Sequence, residues 1–197
     1  MKITAFLNPK GGSGKTTATI NISSCLASSG NKIAVVDTDP QMSLTNWNKA
    51  KKAAFDVYTA ASEKDVYQVR KDLAGYDFVI IDGAGSLSVI TSAAVMVSDL
   101  IIIPVTPSPL DFSAAGSVIT VLQAQAYNRR VETRFLITRK IEQTTMLKVL
   151  KESIAQTEIK AFKTSITQRQ SYVKSVNDGA AKGEIAILTR EILEILV

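Results

Sequence analysis

The chain of 197 residues contains no histidine and only one cysteine, Cys25. Without histidine, general-base catalysis by an imidazole is excluded, and zinc sites built from cysteine and histidine cannot form. One cysteine cannot build a disulfide framework, nor can it ligate an iron–sulfur cluster unaided, and it is typical of a reducing compartment. We therefore interpret Cys25 as a small core residue.

Long apolar runs are missing as well. No stretch reaches the 18 apolar residues typical of a membrane span, and the apolar stretch near the N-terminus is too short for a signal-peptide core. We therefore expect a cytoplasmic protein. Hydrophobic residues make up 46% of the chain and charged residues 21%, as in globular proteins rather than disordered or fibrous ones. Because no linker or repeat interrupts the sequence, we expect one domain over residues 1–197.

Positive charge is concentrated in the second part of the chain. The formal net charge is +5, and positions 129–174 alone carry eleven lysines and arginines against four glutamates. These residues either share one basic face suited to a polyanion or lie on separate solvated helix faces, and the sequence leaves both interpretations open. The stretch, which suits a surface that contacts phosphates, includes Lys148, Lys151, Lys160, Lys163, Arg169 and Lys174.

Short apolar, β-branched runs alternate with segments of helical periodicity. Near-continuous apolar runs are typical of strands that are buried on both faces, as in a parallel sheet. The alternation predicts an α/β fold with a mostly parallel sheet covered by helices on both faces, which binds ligands beyond the carboxyl ends of its strands. The predicted strands are 3–7, 32–36, 78–81, 100–105 and 134–138, and the predicted helices are 15–29, 43–54, 63–74, 86–97, 111–126, 142–156 and 185–197.

A glycine-rich segment directly follows the first predicted strand and leads into a helix. It reads Pro9-Lys10-Gly11-Gly12-Ser13-Gly14-Lys15-Thr16-Thr17, and the strand–loop–helix context is that of a nucleotide phosphate-binding loop. The glycines let backbone N–H groups turn toward phosphates, and the helix adds its positive N-terminal end. In such a loop Lys15 reaches the β- and γ-phosphates, Thr16 ligates Mg²⁺, and Thr17 lies nearest the α-phosphate.

Lys10 is a second lysine in this loop, beside Pro9, where the standard pattern has glycine. Two ammonium groups cannot easily share one phosphate surface, because like charges repel. We therefore expect Lys10 to extend across an interface to a nucleotide that is bound in another subunit.

Carboxylates stand at the ends of two predicted strands. Asp37 and Asp39 follow the second strand, and Asp82 ends the third. A buried carboxylate without a partner costs several kcal/mol, and a magnesium nucleotide would supply that partner. We expect Asp82 to hold Mg²⁺ through water. Asp39 is expected to face the reacting water and to approach the metal through water, and a helix cap or an Asx turn is the alternative for each aspartate.

At these positions the chain resembles the ParA/MinD family of deviant Walker ATPases. Residues 10–17 match the signature loop of that family, 36–41 its second motif and 80–83 its third, and the likeness covers essentially the whole chain. It is greatest to the short plasmid-partition members without an N-terminal DNA-reading domain. The resemblance implies a P-loop NTPase fold and an ATPase that uses ATP and Mg²⁺ and is weak unless a partner stimulates it.

The resemblance also implies roles for individual residues. Lys10 would cross a nucleotide-sandwich dimer, Gly11 would lie where the two loops meet, and Arg139 would lie near the adenine. The candidate catalytic residues are then Lys10, Lys15 and Asp39; the candidate nucleotide-binding residues are Lys10, Gly11, Gly12, Ser13, Gly14, Lys15, Thr16, Thr17 and Arg139; and the candidate metal-binding residues are Thr16, Asp39 and Asp82.

The function that we expect from this resemblance is plasmid partition. ATP would close a homodimer that binds DNA without sequence preference at the nucleoid, and a small ribbon–helix–helix centromere-binding protein would stimulate hydrolysis. The resemblance links the segment 104–109, with Pro104, Pro107 and Pro109, to larger assemblies of dimers. A stiff loop without an intersubunit role explains these prolines equally well.

Two other functions remain as alternatives. A MinD-like membrane-cycling or protein-positioning ATPase would use the C-terminal segment 185–197, which has the periodicity of an amphipathic helix. From Glu184 onward, however, the segment has three glutamates and only one arginine, whereas binding to anionic lipid calls for lysine and arginine. We therefore expect a helix docked on the core and no membrane contact. A biosynthetic P-loop enzyme is the third function, and no substrate-binding insert favours it. The nitrogenase iron protein shares the implied fold, but Cys25 cannot match its cluster ligands.

Overall fold

The computed structural model describes residues 1–51, 53–126, 129–167 and 183–196. These residues form an α/β fold with one six-stranded sheet and seven helices. The strands are β1 (Lys2–Phe6), β2 (Ile33–Asp37), β3 (Asp56–Thr59), β4 (Phe78–Asp82), β5 (Leu100–Val105) and β6 (Glu132–Ile137). The helices are α1 (Lys15–Ser28), α2 (Ser43–Lys51), α3 (Glu63–Asp72), α4 (Val89–Val97), α5 (Pro109–Gln125), α6 (Thr145–Ala155) and α7 (Glu184–Leu196).

The strand order is β3-β2-β4-β1-β5-β6, and every neighbouring pair is parallel. Phe6 at the end of β1 and Asp37 at the end of β2 both pair with Asp82 at the end of β4. The carboxyl ends of these three central strands therefore meet at one edge of the sheet. The predicted fold class is confirmed, and its sheet places all three motifs together.

Both faces of the sheet are covered, because successive residues of a strand point to opposite sides. In β5, Ile101 and Ile103 pack in the core layer that includes residues of α3 to α6. Their neighbours Leu100 and Ile102 pack in the other layer, which includes residues of α1 and α7. All four side chains are fully buried. This two-sided burial explains why the central strands read as continuous apolar runs.

Strand β3 was not predicted, and the expected helix over 43–54 ends earlier, at Lys51. The prediction of strands relied on buried apolar runs, but β3 has four residues at the edge of the sheet, where it pairs with β2. Asp56 and Thr59 are exposed, and Tyr58 is 41% exposed. An edge strand with this mixed burial lacks the apolar signature of its neighbours.

The outer edge of β6 is covered by residues 159–167, called here the edge segment. The Phe135 N–H donates to the Lys160 carbonyl at 3.0 Å, and the Ile166 N–H donates to the Ile137 carbonyl at 2.8 Å. Carboxylates of α7 fix the same segment from the other side. Glu191 accepts from the Lys163 N–H at 2.9 Å, and Glu184 accepts from the Thr167 N–H at 3.0 Å.

Helix α7 is docked on the core, as expected. Ile185, Leu188, Ile192 and Leu196 are buried in the core layer that also contains Leu26 of α1. Two of the glutamates that argued against a membrane contact are those that bind the edge segment. Within the described ranges, no helix is both long and apolar enough to cross a bilayer.

Candidate nucleotide-binding site

The glycine-rich loop joins β1 to α1 at the carboxyl edge of the sheet. Gly12 has φ of +80° and Gly14 has φ of +93°, a left-handed conformation that disfavours side chains. Gly14 is the N-cap of α1, so the first free N–H groups of the helix face the loop. The Thr138 hydroxyl donates to the Ser13 carbonyl at 2.7 Å and ties the loop to the end of β6. The result is a rigid backbone cradle at a helix N-terminus, which is suited to an anion.

Lys15 is buried within this cradle, with 7% of its surface exposed. Its ammonium donates to the Lys10 carbonyl at 3.4 Å. Burial lowers the pKa of Lys15 below its usual value, and the charges of Asp82 and Asp39 act in the opposite direction. A bound phosphate would favour the charged ammonium in the same way as these carboxylates.

The loop also holds an unsatisfied polar atom. The Ser13 hydroxyl is fully buried and has no hydrogen-bond partner among the residues that the structure describes. Buried hydroxyls are normally paired, and an exception calls for an explanation. The left-handed glycines, the buried ammonium of Lys15 and this free hydroxyl together fit a nucleotide phosphate group.

Asp82 lies at the floor of the site and is 1% exposed. Its Oδ2 accepts from the Thr16 hydroxyl at 2.7 Å, and its Oδ1 accepts from the Thr19 hydroxyl at 3.3 Å. Burial raises the pKa of Asp82 to about 7, the Thr16 hydrogen bond opposes the rise, and the nearby Asp37 charge adds to it. A hydroxyl and a carboxylate at this spacing fit a hard cation such as Mg²⁺, which prefers oxygen ligands.

The two aspartates after β2 differ in their surroundings. Asp37 is 2% exposed, and its Oδ2 accepts from the Thr45 N–H at 2.9 Å and from the Thr45 hydroxyl at 2.7 Å, in the first turn of α2. Its Oδ1 accepts from the Asp39 N–H at 3.1 Å. Asp37 is thus a helix-capping residue, the alternative left open for it, and its buried carboxylate is already satisfied without a magnesium nucleotide.

Asp39 is half-buried and shows the other alternative, an Asx turn, since its Oδ1 accepts from the Gln41 N–H at 2.9 Å. The charge of Asp39 nevertheless acts on the Lys15 ammonium. Asp39 is therefore the more accessible of the two aspartates, on the loop that leads to α2, and it faces the same site as Lys15.

Three of the predicted residues lie on the exposed rim of the loop. Lys10 and Gly11 are both exposed, and a Cβ built on Gly11 meets no atom of the described residues within 4 Å. Arg139 is exposed, has φ of +50°, and places its Nη2 3.9 Å from the position of a Cβ on Gly12. Thr17 is half-buried in the first turn of α1. The structure thus brings all the loop residues, Arg139, Asp39 and Asp82 to one edge of the sheet.

Sequence reasoning missed Asn8 and assigned no role to Gly83, which lies in the third motif. Asn8 is buried, donates from Nδ2 to the Pro104 carbonyl at 2.7 Å, and accepts the Lys10 N–H on Oδ1 at 2.9 Å. A Cβ on Gly83 would lie 2.5 Å from the Phe6 carbonyl oxygen, so β4 and β1 approach too closely for any side chain there. A polar residue at the end of an apolar strand was an available signal for Asn8, whereas no local pattern marks the close approach at Gly83.

The structure describes four of the six basic residues that were singled out within positions 129–174. Lys148 and Lys151 are exposed on α6, and Lys160 and Lys163 are exposed on the edge segment. Arg169 and Lys174 lie outside the described residues. The prolines of segment 104–109 are divided between β5, which contains Pro104, and the first turn of α5, which contains Pro109.

Comparison with known proteins gives a family and several relatives. Residues 4–181 match the family model described as the CobQ/CobB/MinD/ParA nucleotide binding domain. Maintenance of carboxysome distribution protein A from Halothiobacillus neapolitanus is 30% identical over 183 residues, which span 90% of this chain and 84% of that protein. Protein ParA from Rhizobium radiobacter is 28% identical over 172 residues, which span 85% of this chain and 73% of that protein.

Solved structures agree on the fold. A putative plasmid partition protein from Borrelia burgdorferi, bound to AMPPNP, has a TM-score of 0.77 at 21% identity and covers 98% of this chain and 97% of its own. Cobyrinic acid a,c-diamide synthase from Mycobacterium smegmatis, with a bound ATP analog and magnesium, has a TM-score of 0.80 at 19% identity. The match covers 98% of this chain and 95% of the synthase chain. A biosynthetic enzyme and a partition protein thus share this architecture, so the fold does not choose between their functions.

Proposed function

The chain belongs to the CobQ/CobB/MinD/ParA nucleotide binding domain family, and from that premise we propose that it is an ATPase that segregates plasmid DNA. ATP and Mg²⁺ close a homodimer, and the dimer binds DNA at the nucleoid without sequence preference. A small ribbon–helix–helix protein bound at the centromere stimulates hydrolysis and returns the chain to a monomer.

The cradle supports the nucleotide part of the proposal. The loop N–H groups and Lys15 would hold the phosphates, while Thr16 and Asp82 would hold Mg²⁺, with Asp82 acting through water. The metal would supply charge stabilisation for phosphoryl transfer. Asp39 would orient the reacting water at the rim, and the absence of histidine in the chain is consistent with slow unaided hydrolysis.

The observation that carries the dimer is the contrast between the two loop lysines. Lys15 is buried in its own loop, whereas Lys10 is exposed on the rim beside Gly11, where open space surrounds the backbone. An exposed ammonium one residue from an unobstructed glycine fits a loop that meets a second loop across an interface. Lys10 would then reach the phosphates that the partner holds.

Exposed apolar side chains at the same end of the sheet support this interface. They lie in segments that follow four different strands, beyond the carboxyl ends where the nucleotide cradle lies. Single exposed apolar residues are ordinary, but a group at one end of a molecule is typical of a contact surface. The group comprises Met42 (43% exposed), Leu87 (47%), Val89 (65%), Leu110 (75%), Ile141 (57%) and Met146 (51%).

Exposed lysines on α6 and on the edge segment support DNA binding. Lys148, Lys151, Lys160 and Lys163 are exposed on neighbouring elements, while Glu184 and Glu191 direct their carboxylates into hydrogen bonds with the edge segment. Lysine side chains contact phosphates without reading bases, and binding of this kind weakens steeply with salt.

The dimer is tested by size-exclusion chromatography with light scattering, which gives the molar mass of the protein in ATP, ADP or no nucleotide. Wild type is expected to dimerise with ATP alone. Lys10→Ala and Gly11→Val are both expected to bind nucleotide but to stay monomeric. Gly11→Val should keep its nucleotide binding because the structure gives a side chain at Gly11 room within the monomer. Lys15→Ala is the contrasting control and is expected to lose nucleotide binding. ATP-dependent dimerisation of Lys10→Ala at the wild-type level would contradict the proposed contact.

Protein positioning is the second candidate function. The relative from Halothiobacillus neapolitanus, which is named for carboxysome distribution, supports it at 30% identity. The same ATP-gated dimer would serve both functions, and the partner would differ. The docked α7 gives less support to membrane cycling, since its apolar face is occupied by the core. We also propose that dimers associate through segment 104–109, in which Pro109 is exposed.

A further inference from the structure

Helix α1 presents a second hydroxyl to the Asp82 carboxylate, one turn beyond Thr16. The Thr19 side chain is fully buried, and its Oγ1 donates to Asp82 Oδ1 at 3.3 Å. Thr16 Oγ1 donates to the other oxygen, Oδ2, at 2.7 Å. Residues three apart share one face of a helix, so the two hydroxyls bind the carboxylate side by side. Each carboxylate oxygen therefore has its own donor.

We propose that Thr19 is a positioning residue for the magnesium site. The terminal torsion of an aspartate is broad, and one hydrogen bond leaves the carboxylate plane free to rotate about that bond. A second hydrogen bond on the other oxygen removes this freedom. Thr19 thus keeps Asp82 in a single orientation whether or not Thr16 also ligates a metal.

The two threonines have different duties in this arrangement. Thr16 lies in the first turn of α1 and is partly exposed, and it is the hydroxyl that the proposed function assigns to Mg²⁺. Thr19 is 0% exposed and lies one turn deeper, where no ion has access to it. Its hydroxyl therefore acts on the metal only through Asp82. This inference rests on the proposed binding of ATP with Mg²⁺ and adds a residue that the loop motif does not contain.

Loss of the Thr19 hydroxyl is expected to weaken magnesium binding and to spare the phosphate cradle. Residues that orient a metal-binding side chain typically change metal affinity by about 10- to 100-fold. Because the Thr19 bond is long and Asp82 acts through water, we expect about tenfold, at the lower end of that range. The cradle should be unaffected, since its glycines and Lys15 are fixed by other contacts.

The test uses the full-length chain with Thr19→Val, which keeps the side-chain shape, and Thr19→Ser, which keeps the hydroxyl. Binding of a fluorescent ATP analogue is titrated with Mg²⁺ and, separately, measured in EDTA. Thr19→Val should raise the Mg²⁺ concentration at half-maximal enhancement by about tenfold and leave the EDTA affinity unchanged. Thr19→Ser should follow wild type. Thr19→Ala, which leaves a space at Oδ1, should behave like Thr19→Val and replaces it if that variant does not fold.

Two results would overturn the role of Thr19. One is a Thr19→Val titration that coincides with wild type. The other is an equal loss of affinity in Mg²⁺ and in EDTA, which would indicate a structural effect on the loop. A wild-type chain that binds no nucleotide is a separate outcome, and it would overturn the proposed function together with the inference that rests on it.

Discussion

Asp82 is expected to make the stability of the nucleotide-free protein depend on pH. Its pKa is raised from 3.8 to about 7 in the folded chain, first because the carboxyl is buried. The folded state therefore binds the proton more tightly than the unfolded state does. Protonation of Asp82 stabilises the fold, and that contribution is lost as the pH rises from about 4 to about 7. Asp82→Asn removes this titration and keeps an oxygen for a threonine hydroxyl.

The size of the effect follows from the shift in pKa. A difference of one in pKa between the folded and unfolded states corresponds to about 1.4 kcal/mol in the free energy of unfolding, so a pKa raised by about three changes that free energy by about 4 kcal/mol. Between pH 5 and pH 8, the free energy of unfolding of Asp82→Asn should rise relative to wild type by about 3 kcal/mol. Above about pH 8, where the Asp82 carboxyl is ionised in both states, the difference should stay constant. Mg²⁺ with ATP should reverse it, because the metal stabilises only the wild-type carboxylate.

The assay is urea unfolding of both proteins at several pH values in EDTA without nucleotide. Subtracting the two curves removes the contributions of other titrating groups. Asp72→Asn is the matched control, since it neutralises an exposed carboxylate on α3, and it should show little pH-dependent difference from wild type. A constant difference between Asp82→Asn and wild type from pH 5 to pH 8 would refute the raised pKa.

Two further substitutions test the packing around the site and the edge segment. Gly83→Ala places a Cβ 2.5 Å from the Phe6 carbonyl oxygen and should cost about 1–3 kcal/mol in thermal unfolding. Gly85→Ala is the control and should be close to neutral, because a Cβ there meets no atom of the described residues within 4 Å. Equal melting temperatures of the two variants would contradict the close approach at Gly83. Glu191→Ala leaves the Lys163 N–H without its acceptor and should lower the free energy of unfolding in urea by about 1–3 kcal/mol. Amide exchange in the edge segment should also become faster. Glu194→Ala, at an exposed position of α7, serves as the control. Unchanged exchange in Glu191→Ala would show that α7 does not fix that segment.

The sequence predicted the strands that are buried on both faces and failed at the strand that is not. β1, β2, β4, β5 and β6 agree with the predicted runs to within about two residues at each end, a margin usual for element boundaries. β3 was missed because an edge strand needs only one apolar face. Its position next to β2 depends on the arrangement of the whole sheet, which a local pattern does not contain.

The carboxylates illustrate the same limit at the site. Asp37 and Asp82 both end buried strands, and the sequence gives them the same local signature. Asp37 is satisfied by the Thr45 N–H and hydroxyl, eight residues further along the chain, whereas Asp82 receives hydroxyls from α1, more than sixty residues away. Only the folded arrangement separates a helix cap from a candidate metal-binding group. A threonine such as Thr19 within a helix reads as an ordinary core position until its neighbour is known.

Co-sedimentation of the purified protein with nonspecific duplex DNA tests the central proposal most directly. The protein is incubated with ATP, ADP or no nucleotide across a salt series, and anionic liposomes are used in a parallel set. The account predicts binding to DNA with ATP alone, declining steeply as salt rises, and no binding to liposomes. ATP-dependent binding to liposomes but not to DNA would contradict both the proposed DNA segregation and the docked role of α7.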